Sequence, residues 1–126
     1  MLRRIATILI VATLIAAPAF AYPLEGKTFK GEMVKAGETK PEPDTFIFTG
    51  GTFRSTGCDA HGFKAAPYSV EKVDGALAFI SVATSETEGS MTWKGTVRGK
   101  SVEGTAVWEK TGQEPIEFKF KGEQKP

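Results

Sequence analysis

The chain holds one cysteine and one histidine, and they stand three residues apart. Cys58 and His61 lie in the run Phe53-Arg54-Ser55-Thr56-Gly57-Cys58-Asp59-Ala60-His61-Gly62-Phe63, with Asp59 between them. A thiolate and a neutral imidazole both suit zinc or copper, and a Cys-His pair can also act as nucleophile and base. Each chemistry demands something more. A closed zinc site takes four ligands, and this spacing supplies two. Haem attachment of the c type needs Cys-x-x-Cys-His, which is absent, so no cofactor is called for. Nucleophilic catalysis needs the base within hydrogen-bond reach and an oxyanion site, and no catalytic residue is assigned on spacing alone. A lone cysteine is also a small hydrophobe that is often simply buried. Small residues before it and the Phe63 anchor after it let this loop fold inward and shield the thiol. Three readings stay open: a buried structural cysteine, a metal or haem ligand, and a reactive thiol. Carboxylate pairs such as Glu86 with Glu88, or Glu114 with Glu117, fall in turns or on outward strand positions and read as surface, since acid-base work needs one desolvated member.

The elements that must position this loop are strands. From Met91 to Trp108, apolar or small residues alternate with polar ones on both sides of Gly99-Lys100, the period-2 pattern of two half-buried strands in a hairpin. A two-residue II′ turn with Gly99 first sets Val97 opposite Val102, Gly95 opposite Gly104, Trp93 opposite Ala106 and Met91 opposite Trp108. Lys27 to Lys35 alternates around Phe29, Gly31 and Met33. Ala36 to Pro43 reads as a solvated loop, its prolines blocking a strand. Asp44 to Thr49 carries Phe46 and Phe48 on one face, and Gly50-Gly51 turns the chain into a short run around Phe53. Tyr68 to Val73 and Ala76 to Ala83 join at Asp74-Gly75, a strong hairpin signal. Ile116 to Lys121 is the last strand, and Gly122 to Pro126 reads as a fraying tail. No segment holds a 3.6-residue period long enough for a helix.

Eight strands joined by short connections predict an all-β, antiparallel up-and-down meander. With no amphipathic helix to cover its apolar face, the sheet must close into a small barrel or fold into a two-sheet sandwich. The barrel is the leading expectation. Eight strands enclose just enough room for their own side chains or one small ligand. Phe29, Met33, Phe46, Phe48, Tyr68, Phe79, Trp93, Trp108, Phe118 and Phe120 point inward and nearly fill it. Gly31, Gly95, Gly104 and Ala106 remove volume, which either bends the sheet or leaves an apolar void. Phe29, Gly31, Tyr68, Trp93, Gly95, Gly104 and Trp108 are the candidates for lining such a pocket, and Cys58 with His61 are the candidates for thiol or metal chemistry.

Met1-Leu2-Arg3-Arg4, the apolar run Ile5 to Ala17 and Ala19-Phe20-Ala21 form a secretory signal peptide over 1–21, followed by one domain over 22–126. Pro18 breaks the run short of a membrane span, so the mature chain is expected to be soluble, periplasmic or secreted, and not inserted in a membrane. Removing Arg3 and Arg4 takes the 16 Lys and Arg to 14, against 15 Asp and Glu. A balance this near neutral lacks a nucleic-acid footprint. The Gly-x-x-Phe start at Gly26-Lys27-Thr28-Phe29, with the signal peptide and the meander, resembles the calycin group, the lipocalin-like barrels. Where the lipocalin signature has Gly-x-Trp, this chain has Phe29 one position later. The resemblance implies sequestration of a small apolar ligand in the barrel mouth. The Phe53 to Phe63 run with the Trp-x-Gly hairpin also resembles small exported bacterial proteins to which no activity attaches. The expected function is therefore a non-enzymatic, monomeric exported barrel that binds a small hydrophobic ligand or a partner, the latter through the Ala36 to Pro43 loop. The alternative is a thiol or metal protein working through Cys58 and His61.

Overall fold

Strands form wherever the period-2 alternation runs, and the computed structural model, which describes residues 23–126, places eight of them in one sheet. They are β1 (Thr28–Lys35), β2 (Glu42–Thr49), β3 (Thr52–Ser55), β4 (Ala66–Val73), β5 (Ala76–Ser85), β6 (Gly89–Arg98), β7 (Ser101–Glu109) and β8 (Ile116–Gln124). One helical turn, α1 (Thr56–Asp59), interrupts the meander between β3 and β4. Each strand pairs antiparallel with the next, and β8 returns to β1, so the sheet is a closed barrel rather than a sandwich. The signal-peptide assignment, 1–21, lies outside the described residues.

The central hairpin has the register read from its alternation: Met91 opposite Trp108, Trp93 opposite Ala106, Gly95 opposite Gly104 and Val97 opposite Val102. Gly99 has φ +62° while Lys100 stays out of the left-handed region, as a II′ turn requires. At Asp74-Gly75 both residues take positive φ, 49° and 81°, the mirror-image geometry that matches strand twist. Three details depart from the sequence reading. Pro43 lies inside β2 opposite Glu32, near the strand's start, where a missing N–H is tolerated. The supposed tail is ordered: Gly122 to Gln124 belong to β8, with Gly122 opposite Gly31 and Gln124 opposite Phe29. And α1 is a helix that periodicity could not show, because four residues are too few to carry a period.

Antiparallel order sends the connections alternately to the two ends. The turns β2–β3, β4–β5 and β6–β7 gather at one end, which the N-terminal segment plugs. Leu24 there is fully buried, and the Glu25 carboxylate accepts the N–H groups of Gly50 and Gly51. Above this plug the rings of Phe46, Phe48, Phe53, Phe79, Trp93 and Phe120 pack on one another with centroids 4.9 to 6.4 Å apart. Most of these pairs meet edge-on or tilted, while Phe46 and Phe53 lie nearly parallel, 10° apart. Two glycine pairs, Gly31 with Gly122 and Gly95 with Gly104, crease the sheet on its inner face. The longer connections, including α1, gather at the opposite end and surround an opening.

Candidate ligand site at the mouth of the barrel

The loop bearing Cys58 is built from one buried carboxylate. Asp44 on β2 is 6% exposed, and its oxygens accept the Thr45 N–H at 2.7 Å, the Ser55 hydroxyl at 2.6 Å and the Gly57 N–H at 2.8 Å. The Thr56 hydroxyl adds a longer contact at 3.3 Å. A helix start leaves N–H groups without intrahelical partners. Ser55, the N-cap, makes no side-chain cap of its own, so Asp44 satisfies the first turn from the neighbouring strand. Further along, the Cys58 carbonyl accepts the N–H groups of His61 and Phe63, and Gly62 at φ +82° turns the chain so that Phe63 enters the core. Arg54 and Asp59 meet through paired hydrogen bonds on the outside, and the Ser85 hydroxyl donates to the His61 carbonyl. The loop is tied down on every side.

Cys58 is consequently buried, at 8% exposure. Burial pushes its thiol above the ordinary cysteine range; the Ser55 hydroxyl bond works against that, and the charges of Asp44 and Asp59 add to the rise. His61 is exposed at the rim, and the hydrogen bond joining the two residues is between backbones, His61 N–H to Cys58 C=O. The expected result is slow alkylation of native Cys58 near neutral pH, accelerating only at alkaline pH, because the thiolate is the nucleophile. Asp44→Ala should lower stability by about 2 to 3 kcal/mol and speed labelling by freeing α1. Alkylation rates against pH check both. Rapid labelling near pH 6 that slows in His61→Ala would instead make the pair a reactive thiol and its base.

Cys58 and His61 open on a cavity of about 320 Å³ at this end of the barrel. Its wall is apolar: Met33 from β1, Phe63 from the loop, Met91 from β6, Trp108 from β7 and Phe118 from β8. Its rim is charged, with Lys35, Glu38, Lys40 and Glu42 from β1, β2 and their connection. Trp108 is held against the wall by its indole N–H, which donates to the Glu88 carbonyl at 2.5 Å. Among the described residues, no group of three or more His, Cys, Asp and Glu side chains is arranged to hold a metal ion.

Of the residues expected to line a pocket, Trp108 alone lies on this cavity. Phe29, Tyr68 and Trp93 are buried in the packed interior. The space over Gly95 is taken by the rings of Phe79 and Phe120, 2.6 and 2.8 Å from where a Cβ would stand. Gly31 and Gly104 face neighbouring strand backbone, so the inner glycines serve the creases and not a void. Met33, Met91, Asp44, Phe63 and Phe118 were not among the candidates. Strand parity carries the signal for three of them: Met33, Met91 and Phe118 are inward residues near the strand ends that meet the longer connections.

Fold and site together define a small closed antiparallel barrel, plugged at one end and hollow at the other, consistent with a calycin-like architecture. No protein-family model, curated protein or solved structure matches the chain.

Proposed function

We propose that this chain is an exported, non-enzymatic barrel of the lipocalin-like kind that binds a small apolar ligand in its mouth. The observation that carries the reading is the cavity itself. At about 320 Å³ it falls at the lower end of the range of small-molecule sites, with the usual apolar wall and few polar groups. The charged rim suits a ligand with one polar end left in water. Native mass spectrometry of the protein recovered from its own host tests export and binding together. The expected spectrum shows a chain of Tyr22 to Pro126 carrying a retained apolar molecule, displaced one for one by N-phenyl-1-naphthylamine. An uncleaved soluble chain would remove the export half. Failure of the naphthylamine to bind saturably would remove the ligand half.

A second reading, thiol or metal chemistry through Cys58 and His61, is favoured by one specific observation. Both residues line this same cavity rather than lying apart on the surface.

A further inference from the structure

The described chain contains four side chains with soft or borderline donor atoms: the thioethers of Met33 and Met91, the thiol of Cys58 and the imidazole of His61. Apart from Met1 these are all the Met, Cys and His the sequence has. They come from β1, from β6 and from α1 with the loop that follows it, three regions far apart in sequence, yet all four line the mouth cavity. We propose that the mouth is a binding site for a soft monovalent metal ion, Cu(I), held by Cys58, Met33 and Met91 with His61 at its outer edge. This rests on the second reading above and extends it by naming the ion and adding the two thioethers.

Metal selectivity follows ligand softness. Thiolate and thioether donors select Cu(I), while carboxylate and carbonyl oxygen suit magnesium, calcium and manganese. The one carboxylate inside the mouth, Asp44, is engaged by the donors of Thr45, Ser55, Thr56 and Gly57, so its oxygens are committed to holding the loop. The glutamates near the site stand at its rim, on Glu38 and Glu42. Both features disfavour hard cations. The two thioethers sit on flexible, unbranched side chains, one on β1 and one on β6, and both line the cavity. Phe63, Trp108 and Phe118 surround the donors with apolar surface, which keeps water from the ion. On binding, the Cys58 sulfur loses its proton to solvent and forms a bond to the ion; the ion arrives as Cu(I) and its oxidation state does not change.

The test titrates the exported protein with Ag(I), a redox-inert stand-in for Cu(I), and follows stoichiometry by native mass spectrometry and quenching of tryptophan fluorescence. The expected result is one ion per chain, with affinity reduced about tenfold or more, the loss seen even for outer-shell changes, in Cys58→Ala and in the double variant Met33→Leu with Met91→Leu. Leucine conserves the volume of methionine, so the doubly substituted barrel stays folded; its strand circular dichroism and its urea-unfolding midpoint serve as controls. Silver bound equally by wild type and the double variant, but lost in Cys58→Ala, would overturn the proposal while sparing the second reading. Absence of specific silver binding in the wild type would overturn the proposal together with the metal half of the second reading. Neither result bears on the apolar-ligand reading, which the naphthylamine reports independently.

Discussion

Trp93→Ala should lower the stability of the barrel by about 3 to 5 kcal/mol, the cost of a buried large-to-small change that leaves a cavity. Trp93 is 1% exposed, and its ring meets Phe46, Phe53 and Phe120 at centroid distances of 5.9, 5.0 and 5.1 Å. Those three rings are carried by β2, β3 and β8, so removing the indole takes a shared partner from strands on different sides of the barrel. Backbone cannot collapse into the space, because the sheet is closed and each strand is fixed by two neighbours. Urea unfolding of the two proteins measures the difference. A loss under about 1 kcal/mol, the size of an average point change, would place Trp93 outside the core.

The second large effect is expected at a residue with no side chain. Gly31→Ala adds a single methyl group, yet an added Cβ at Gly31 would fall inside the van der Waals sphere of the Lys121 carbonyl oxygen and close on Gly122 Cα. Both obstacles are backbone of the paired strand. At Gly95 the nearest atoms are instead the edges of the Phe79 and Phe120 rings. Rings tilt at modest cost, whereas separating β1 from β8 breaks the pairing that closes the barrel. Gly31→Ala is therefore expected to cost about 3 kcal/mol or more, at or above the top of the overpacking range, and to exceed Gly95→Ala. Thermal unfolding of the two variants checks the order. A reversed order would mean that the Gly31 crease relaxes without strand separation.

The architecture was legible because strand alternation is a local signal. In the hairpin from Met91 to Trp108, every inward residue is apolar or small and the turn residues suit one turn type, so register followed from counting. Leu24 and Glu25 were not legible, since a plug is defined by what it covers and no period marks it. Asp44 was read as the start of a strand, and its role as a remote cap depends on Gly57 arriving beside it from thirteen residues away. The site shows the same division. Cys58 and His61 stood out by rarity, and both line the cavity. The glycines suggested a void at the wrong level, because a missing side chain creates space only when no neighbouring ring takes it, and at Gly95 Phe79 from the paired strand β5 and Phe120 from β8 do.

The closure of the sheet also has a consequence in time. β8 is the last strand to be synthesised, and it forms seven register pairs with β1 and eight with β7. Until its nine residues, Ile116–Gln124, have arrived, β1 and β7 each keep a bare edge and the ring of strands stays open. The pairing between β1 and β8 also spans nearly the whole described chain, which is slow to form because the longest loop must close before any of those contacts is gained. The barrel therefore closes only when β8 appears, and until then the strands ahead of it stand as an open sheet with two bare edges.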